Sequence, residues 1–329
     1  MAAAGLRADL VMEGGGVKGT ALVGVLSVLE EAGYQFMNLA GTSAGAIVAA
    51  LVAAGYTAQE LKQVMDGLDY SRLRDRSLLD RLPVAGPLLS LIFEKGIYEG
   101  DYFFNLMDSL LREKGVRTFA DLVMKEFQED ERYRFRLRVI AADISLGRLL
   151  VLPQDIRHYG IVPDDLSVAL AVRMSMSIPL FYEPVTLRDA QTGQVSYIID
   201  GGVLSNFPVW LFDTQGGVPE WATFGLKLVE PEEGRPHRIR GPVSLLTALF
   251  GTMMEAHDAR YIEDQDFART IPIPTLGVRT TEFDLSPERR EALYQAGRGA
   301  AQRFLGKWDF SDYILKYRGD ASRHGRHIS

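Results

Sequence analysis

The sequence predicts an α/β fold in three layers: a mostly parallel central sheet with helices on both faces. Two observations carry that expectation. Short apolar runs alternate with helix-spaced segments from residue 10 to residue 55, and each of the first two apolar runs ends at a glycine cluster. In such sheets ligands gather beyond the carboxyl ends of the strands, so both clusters stand where chemistry is expected.

Leu10, Val11 and Met12 form the first apolar run, stopped by Glu13 and a glycine cluster. Thr20 to Glu31 follows with the spacing of a helix that buries one face. Phe36 to Ala40 repeats the strand and ends at Gly41-Thr42-Ser43-Ala44-Gly45; a second helix over Ala46 to Ala54 is stopped by Gly55. From Asp66 to Asn105 the periodicity weakens around Pro83, Pro87 and the apolar run Leu88 to Phe93, and the stretch reads as an insertion or cap. Further strands are expected at Phe135 to Ala141, Tyr197 to Ile199 and Thr223 to Leu228. Over Thr270 to Val278, Pro272 and Pro274 confine a strand to an edge, because proline lacks the N–H a ladder needs, and the sheet is expected to have mixed edges. Ser286-Pro287-Glu288 starts a helix that runs to about Leu305, with an oxygen cap and a proline at the first helical position. The polar tail, Arg318 to Ser329, is expected to fray. With no repeat and no Pro/Gly/Ser linker long enough to divide the chain, one domain is expected.

The chain has 329 residues, 47% apolar and 24% charged, enough to bury a sizeable core, which excludes disorder and fibres. Lys plus Arg is 36 and Asp plus Glu is 43; the resulting net charge of −7 argues against general nucleic-acid affinity. There is no cysteine, which removes thiol nucleophiles, thiolate metal sites and disulfides together and leaves Ser, Thr, Lys or a carboxylate as nucleophile. No apolar run of signal-peptide length precedes Glu13, so a cytoplasmic protein is expected. Ala32 to Gln59 carries no charge and exceeds the roughly 20 residues a bilayer needs. Asn38, Gly41, Thr42, Ser43 and Gly45 near its middle divide it instead into a strand, a turn and a small-residue helix buried on all sides.

Gly14-Gly15-Gly16-Val17-Lys18-Gly19 fits G-x-G-x-x-G, but a dinucleotide site also wants an acidic residue about 20 positions on, and no acid occurs between Glu31 and Glu60. A phosphate loop fails too, because Gly19 follows Lys18 where Ser or Thr is required. A tight turn without a ligand remains, as does a loop whose exposed backbone N–H groups, at a helix N-terminus, stabilise a negatively charged oxygen.

Gly41 to Gly45 is G-x-S-x-G between a strand and a helix, the setting in which this motif marks a nucleophile elbow. The serine hydroxyl needs a base. None of the five histidines, His158, His237, His257, His324 and His327, is well placed, although His257 keeps open a serine esterase of the α/β-hydrolase type. A carboxylate is the other choice: Asp200 ends the apolar strand Tyr197-Ile198-Ile199 and precedes Gly201-Gly202, although a turn-capping Asp would look the same.

These residues resemble the patatin-like phospholipase family. Gly14 to Gly19 look like its oxyanion loop, Gly41 to Gly45 like its elbow, and Asp200-Gly201-Gly202 like its aspartate block. Ser175-Met176-Ser177-Ile178-Pro179 with Phe181 and Pro184, and Asn206-Phe207-Pro208, also look like the family. The resemblance spans roughly Leu10 to Leu305, with little to match over 66–105 and the tail; it implies a patatin-like domain over residues 1–317, within which the residue pattern makes 66–105 a cap or insertion, followed by 318–329 as tail. It implies a Ser43–Asp200 dyad in place of a histidine-containing triad, and an oxyanion hole drawn from Gly14, Gly15, Gly16, Lys18 and Gly19, Lys18 occupying a position where the family carries a basic residue. Gly41, Gly45, Gly201 and Gly202 support the motifs. The implied activity is hydrolysis of phospholipid or lysophospholipid acyl esters through an acyl-enzyme, with no metal or cofactor and with peripheral membrane contact. Leu88 to Phe93 and Val243 to Met254 would line an acyl channel, touch a membrane or belong to the core. A catalytically silent regulatory protein of the same fold is the remaining alternative.

Overall fold

A computed structural model of the chain describes residues 6–67, 100–179, 181–214, 218–230, 239, 241, 245, 248–253, 264–278, 282 and 285–318. Strand β1 (Leu6–Met12) leads through the glycine loop into α1 (Gly19–Glu31); β2 (Tyr34–Thr42) then leads into α2 (Ala44–Ala53) and α3 (Ala58–Gly67). The uncharged stretch is thus a strand and a helix, and no described helix is long and apolar enough to cross a membrane. Most of the expected insertion, including Leu88 to Phe93, lies outside the described residues; its end is helical, in α4 (Asp101–Glu113).

Next come β3 (Leu137–Asp143), β4 (Arg148–Leu152), α5 (Val168–Ser175), β5 (Val185–Arg188), β6 (Val195–Asp200), β7 (Ala222–Val229), α6 (Asp264–Ala268), β8 (Thr270–Pro274), α7 (Pro287–Leu305) and α8 (Phe310–Tyr317). Strand β3 is shifted toward the C-terminus of the expected run, and β4 and β5 were not anticipated. Both are short, and both pair antiparallel with a neighbour. Helix α7 starts as the sequence predicts, with Ser286 accepting the Arg289 N–H at 3.3 Å.

The sheet runs β5-β6-β3-β2-β1-β7-β8, with β4 also paired to β3. Strands β3, β2, β1, β7 and β8 are mutually parallel, and β8 is the edge strand its prolines require. Alternation along β1 divides the core. Ala8, Leu10 and Met12 face the main cluster beneath the helices, whereas Val11 faces a smaller cluster with Phe207, Val209 and Phe212. The layers are therefore unequal. The second face is covered by short turns and the helical segment 248–253, whose half-buried Phe250 and Met253 pack on Ala142, Ile199 and Val203. On the first face α1 and α7 are in backbone contact: a Cβ on Gly24 would lie 2.0 Å from the Tyr294 carbonyl oxygen, and one on Gly297 2.0 Å from that of Ala21.

Arg318, expected to begin a frayed tail, is instead anchored, donating to Asp213 Oδ1 at 3.0 Å beside the buried Arg269, which also pairs with Asp213 and Asp266. The remaining tail residues lie outside the described part.

A buried acid lies in the β1–β2 ladder. The register shifts between Ala8 and Leu10, freeing the Asn38 N–H, which donates to Asp9 Oδ1 at 2.9 Å. Burial pushes the Asp9 carboxyl up to about 7, against the opposing pull of the Asn38 and Trp221 hydrogen bonds and of Arg132 and Arg138. Between its ordinary value and 7 the unfolded chain has lost a proton that the folded chain retains. Stability therefore falls as pH rises through that window. Asp9→Asn removes the cost of ionising this buried carboxyl and is expected to raise unfolding free energy by up to ~4 kcal/mol at about pH 8, the gain shrinking on acidification. Urea titrations of both proteins across pH check this; a difference that does not change with pH would refute it.

Candidate active site

Three partners share the two edges of β3, and this arrangement builds the site. Val139 pairs with both Gly41 of β2 and Leu152 of β4, so those strands lie on opposite edges. Ala141 pairs with both Leu150 of β4 and Asp200 of β6. It follows that β2 and β6 occupy the same edge of β3, one after the other and running toward each other. Thr42 is the last residue of β2, opposite Ile140, and Asp200 is the last of β6, opposite Ala141. Ser43 and Asp200 are thereby brought together from positions 157 apart in the chain.

At Ser43 the backbone turns out of β2 with φ +54° and ψ −123°, one of two non-glycine residues at positive φ among the described residues. Such a conformation costs about 1–3 kcal/mol and persists only where the surroundings impose it. The flanking glycines permit the turn. A Cβ on Gly41 would lie 2.3 Å from the Gly45 carbonyl carbon, and one on Gly45 would lie 2.2 Å from the Met12 carbonyl oxygen. The Ser43 N–H donates to Ser175 Oγ at 2.8 Å, and that hydroxyl donates to the Ile140 carbonyl at 2.6 Å. The Ser43 hydroxyl points to Met176 Sδ, 3.6 Å away.

Asp200 is fully buried. Its Oδ1 accepts the Gly202 N–H at 2.8 Å, in the turn opened by Gly201, and its own N–H donates to the Ser177 carbonyl at 3.0 Å. Its Oδ2 makes no hydrogen bond of good geometry among the described residues. Burial pushes the carboxyl up to about 7; the Gly202 N–H and the neighbouring Ser43 hydroxyl pull it down, and burial wins. A carboxyl of that acidity is poised to take and return a proton near neutral pH.

The first glycine loop lies against the elbow, a Cβ built on Gly14 falling 3.1 Å from Ser43 Cβ. Gly14 is locked to Asn206, its N–H donating to the Asn206 carbonyl at 3.3 Å and its carbonyl accepting Asn206 Nδ2 at 3.2 Å. The Lys18 N–H bonds to the Gly15 carbonyl at 3.2 Å, and the Gly19 N–H to that of Gly16. The amides of Gly14, Lys18 and Gly19 are engaged within the fold, which leaves, of the expected donors, those of Gly15 and Gly16 without a partner among the described residues, the latter at φ +56°. The buried Lys18 ammonium pairs with Glu230, just past β7.

Sequence reasoning assigned no role to Ser175, Met176, Ser177, Asn206 or Glu13. The first four belong to blocks noted only for their resemblance. Glu13 was read as a strand stop, yet its buried carboxylate accepts the Leu228 N–H and pairs with Lys227 at 3.4 Å, tying the loop to β7. Of the histidines, His158 is 52% exposed at its side chain and 3.9 Å from Asp155; His237, His257, His324 and His327 lie outside the described residues.

A family model described as patatin-like phospholipase matches residues 10–213. The uncharacterized protein YqhO of Bacillus subtilis (strain 168) is 41% identical over 304 residues, 92% of this chain and 99% of its own. A probable lipid hydrolase, 463L of Invertebrate iridescent virus 6, is 27% identical over 201 residues, 61% of each chain. Among solved structures, VipD of Legionella pneumophila superposes with a TM-score of 0.54 at 19% identity, covering 91% of this chain and 66% of VipD. The ExoU–SpcU complex of Pseudomonas aeruginosa gives 0.51 at 20%, covering 92% of this chain and 51% of the matched one. These structural likenesses concern the fold.

Proposed function

The chain belongs to the patatin-like phospholipase family, and from that premise we propose that it is a serine acyl-ester hydrolase of phospholipids or lysophospholipids, with Ser43 as nucleophile and Asp200 as base. The observation that carries the reading is the end-to-end meeting of β2 and β6 on one edge of β3, which sets a strained serine beside a buried carboxylate. Family membership and the lipid hydrolase among the relatives support the lipid substrate.

In the first step Ser43 Oγ attacks the ester carbonyl carbon as its proton passes to Asp200. The carbonyl oxygen becomes an oxyanion facing the Gly15 and Gly16 N–H groups. Each well-aimed donor is worth about 3–4 kcal/mol of barrier. Collapse breaks the bond to the leaving alcohol, which takes the proton from Asp200 and leaves the acyl group on Ser43. Water then attacks, gives its proton to Asp200, and releases fatty acid as the proton returns to Ser43. Residues 1–317 are read as the hydrolase domain, working at a membrane surface without spanning it.

The test is incubation of the purified chain with mixed phospholipid and lysophospholipid vesicles, with released fatty acid followed by mass spectrometry. Release is expected, together with stoichiometric fluorophosphonate labelling of Ser43. Absence of both would favour the catalytically silent alternative.

A further inference from the structure

Residues 175–177 touch both halves of the site. Ser175 Oγ accepts the Ser43 N–H at 2.8 Å, Met176 Sδ lies 3.6 Å from Ser43 Oγ, and the Ser177 carbonyl accepts the Asp200 N–H at 3.0 Å. The segment is held from behind, where Ser177 Oγ accepts from Arg173 Nη1 at 2.6 Å and donates to the Arg173 carbonyl at 2.9 Å. Three consecutive residues thus connect the serine and the aspartate that the sheet brings together.

The geometry of β2 explains why a hydroxyl is needed at Ser175. The Leu39 N–H donates to the Arg136 carbonyl at 2.8 Å, and a parallel ladder advances two residues on each strand from one such bond to the next. Two steps further, the partners are the Ser43 N–H and the Ile140 carbonyl. There the chain leaves the sheet at positive φ, and β6 takes over that edge of β3. The Ser175 hydroxyl bridges the separated donor and acceptor, giving a proton to one and accepting from the other. Ser43 and Ser175 are both buried, so solvent has little access to replace it.

We propose that Ser175 is a positioning residue: its hydroxyl, bridging the Ser43 N–H and the Ile140 carbonyl, holds the strained turn and so keeps Ser43 Oγ in register with Asp200. This rests on the reading of Ser43 as nucleophile and adds a residue that touches no substrate. Without the hydroxyl two buried backbone groups lose their partner, and the turn relaxes at the expense of the nucleophile's placement. Misplacement of about 1 Å at a reacting atom lowers rate by about 100-fold.

The test compares wild type, Ser175→Ala and Ser27→Ala on an acyl ester, measuring kcat, KM, the rate of fluorophosphonate labelling and Tm. Ser175→Ala is expected to lower kcat and labelling rate by roughly 10- to 100-fold with KM changed less than about twofold, the split left by an interaction that acts at the transition state. Ser27→Ala, in α1 and outside the site, likewise removes a buried serine hydroxyl, one that donates to the Gly24 carbonyl and accepts from Arg298, so Tm is expected to fall while kcat stays within about threefold of wild type. Should Ser175→Ala fail to fold, Ser175→Cys carries the test, since a thiol is a weak donor and acceptor of similar shape; slowed labelling supports the proposal, and wild-type labelling overturns it. Equal loss of kcat in Ser175→Ala and Ser27→Ala, or a Ser175→Ala enzyme of wild-type kcat, would also overturn it. Failure of the underlying reading is separately visible: the wild type itself would leave Ser43 unlabelled.

Discussion

Ser43→Ala is expected to lower acyl-ester hydrolysis by about 10⁴-fold or more and to abolish fluorophosphonate labelling, with the fold retained. The size follows from the chemistry, since no other described hydroxyl ends a strained strand-to-helix turn beside Asp200 and the glycine loop. Retention of the fold follows from what the substitution spares. Alanine keeps the Cβ, so backbone strain is unchanged, and the N–H bond to Ser175 is main chain and survives. The lost hydroxyl touches Met176 Sδ at 3.6 Å and neighbours the Asp200 carboxyl, and neither contact holds the backbone. Fatty-acid release and thermal melting measured on the same preparation check both halves, and activity above about one hundredth of wild type would remove Ser43 from the mechanism.

Asp200→Asn is expected to lower kcat by about 10²- to 10⁴-fold and to stabilise the protein at the same time. Both effects come from one burial. Asp200 must be ionised to accept the serine proton, and with its carboxyl pushed up to about 7 the wild-type rate rises with pH to about that point and then levels. For stability the sign is the reverse. The folded state holds a proton that the unfolded chain has lost, so a penalty grows as pH rises from the ordinary carboxylate range to about 7 and is full above it. Asparagine carries no such penalty and keeps an oxygen to accept the Gly202 N–H. The variant is expected to be nearly inactive yet harder to unfold than wild type at about pH 8, the stability difference narrowing on acidification. A pH–rate profile and urea midpoints at several pH values provide the check. A purely structural aspartate would lose activity and stability together.

The elements that could be read in advance are those whose signal is local. β1, α1, β2 and α2 follow from apolar periodicity and the glycines that end their runs, α7 follows from its Ser286–Pro287 start, and Pro272 and Pro274 confine β8 to an edge. β4 and β5 escaped because they are only five and four residues long: β4 is an apolar run without alternation, and the alternation of β5 spans too few residues to mark a strand. Arg318 was misread because its anchor, Asp213, lies 105 residues away.

By itself, the sequence determined where the backbone could turn sharply and which residue types stood at those turns: Ser43 between Gly41 and Gly45, Asp200 before Gly201, and a run of glycines after Glu13. These are properties of single residues and their neighbours, carried by steric size and hydrogen-bonding capacity. Only the tertiary structure decided that β2 and β6 share an edge of β3, that burial lifts Asp200 to about 7, that the amides of Gly14, Lys18 and Gly19 are engaged within the fold, and that Ser175 bridges the broken ladder. Each depends on which distant segments pack together and on the water they exclude, and no local pattern of residues encodes that.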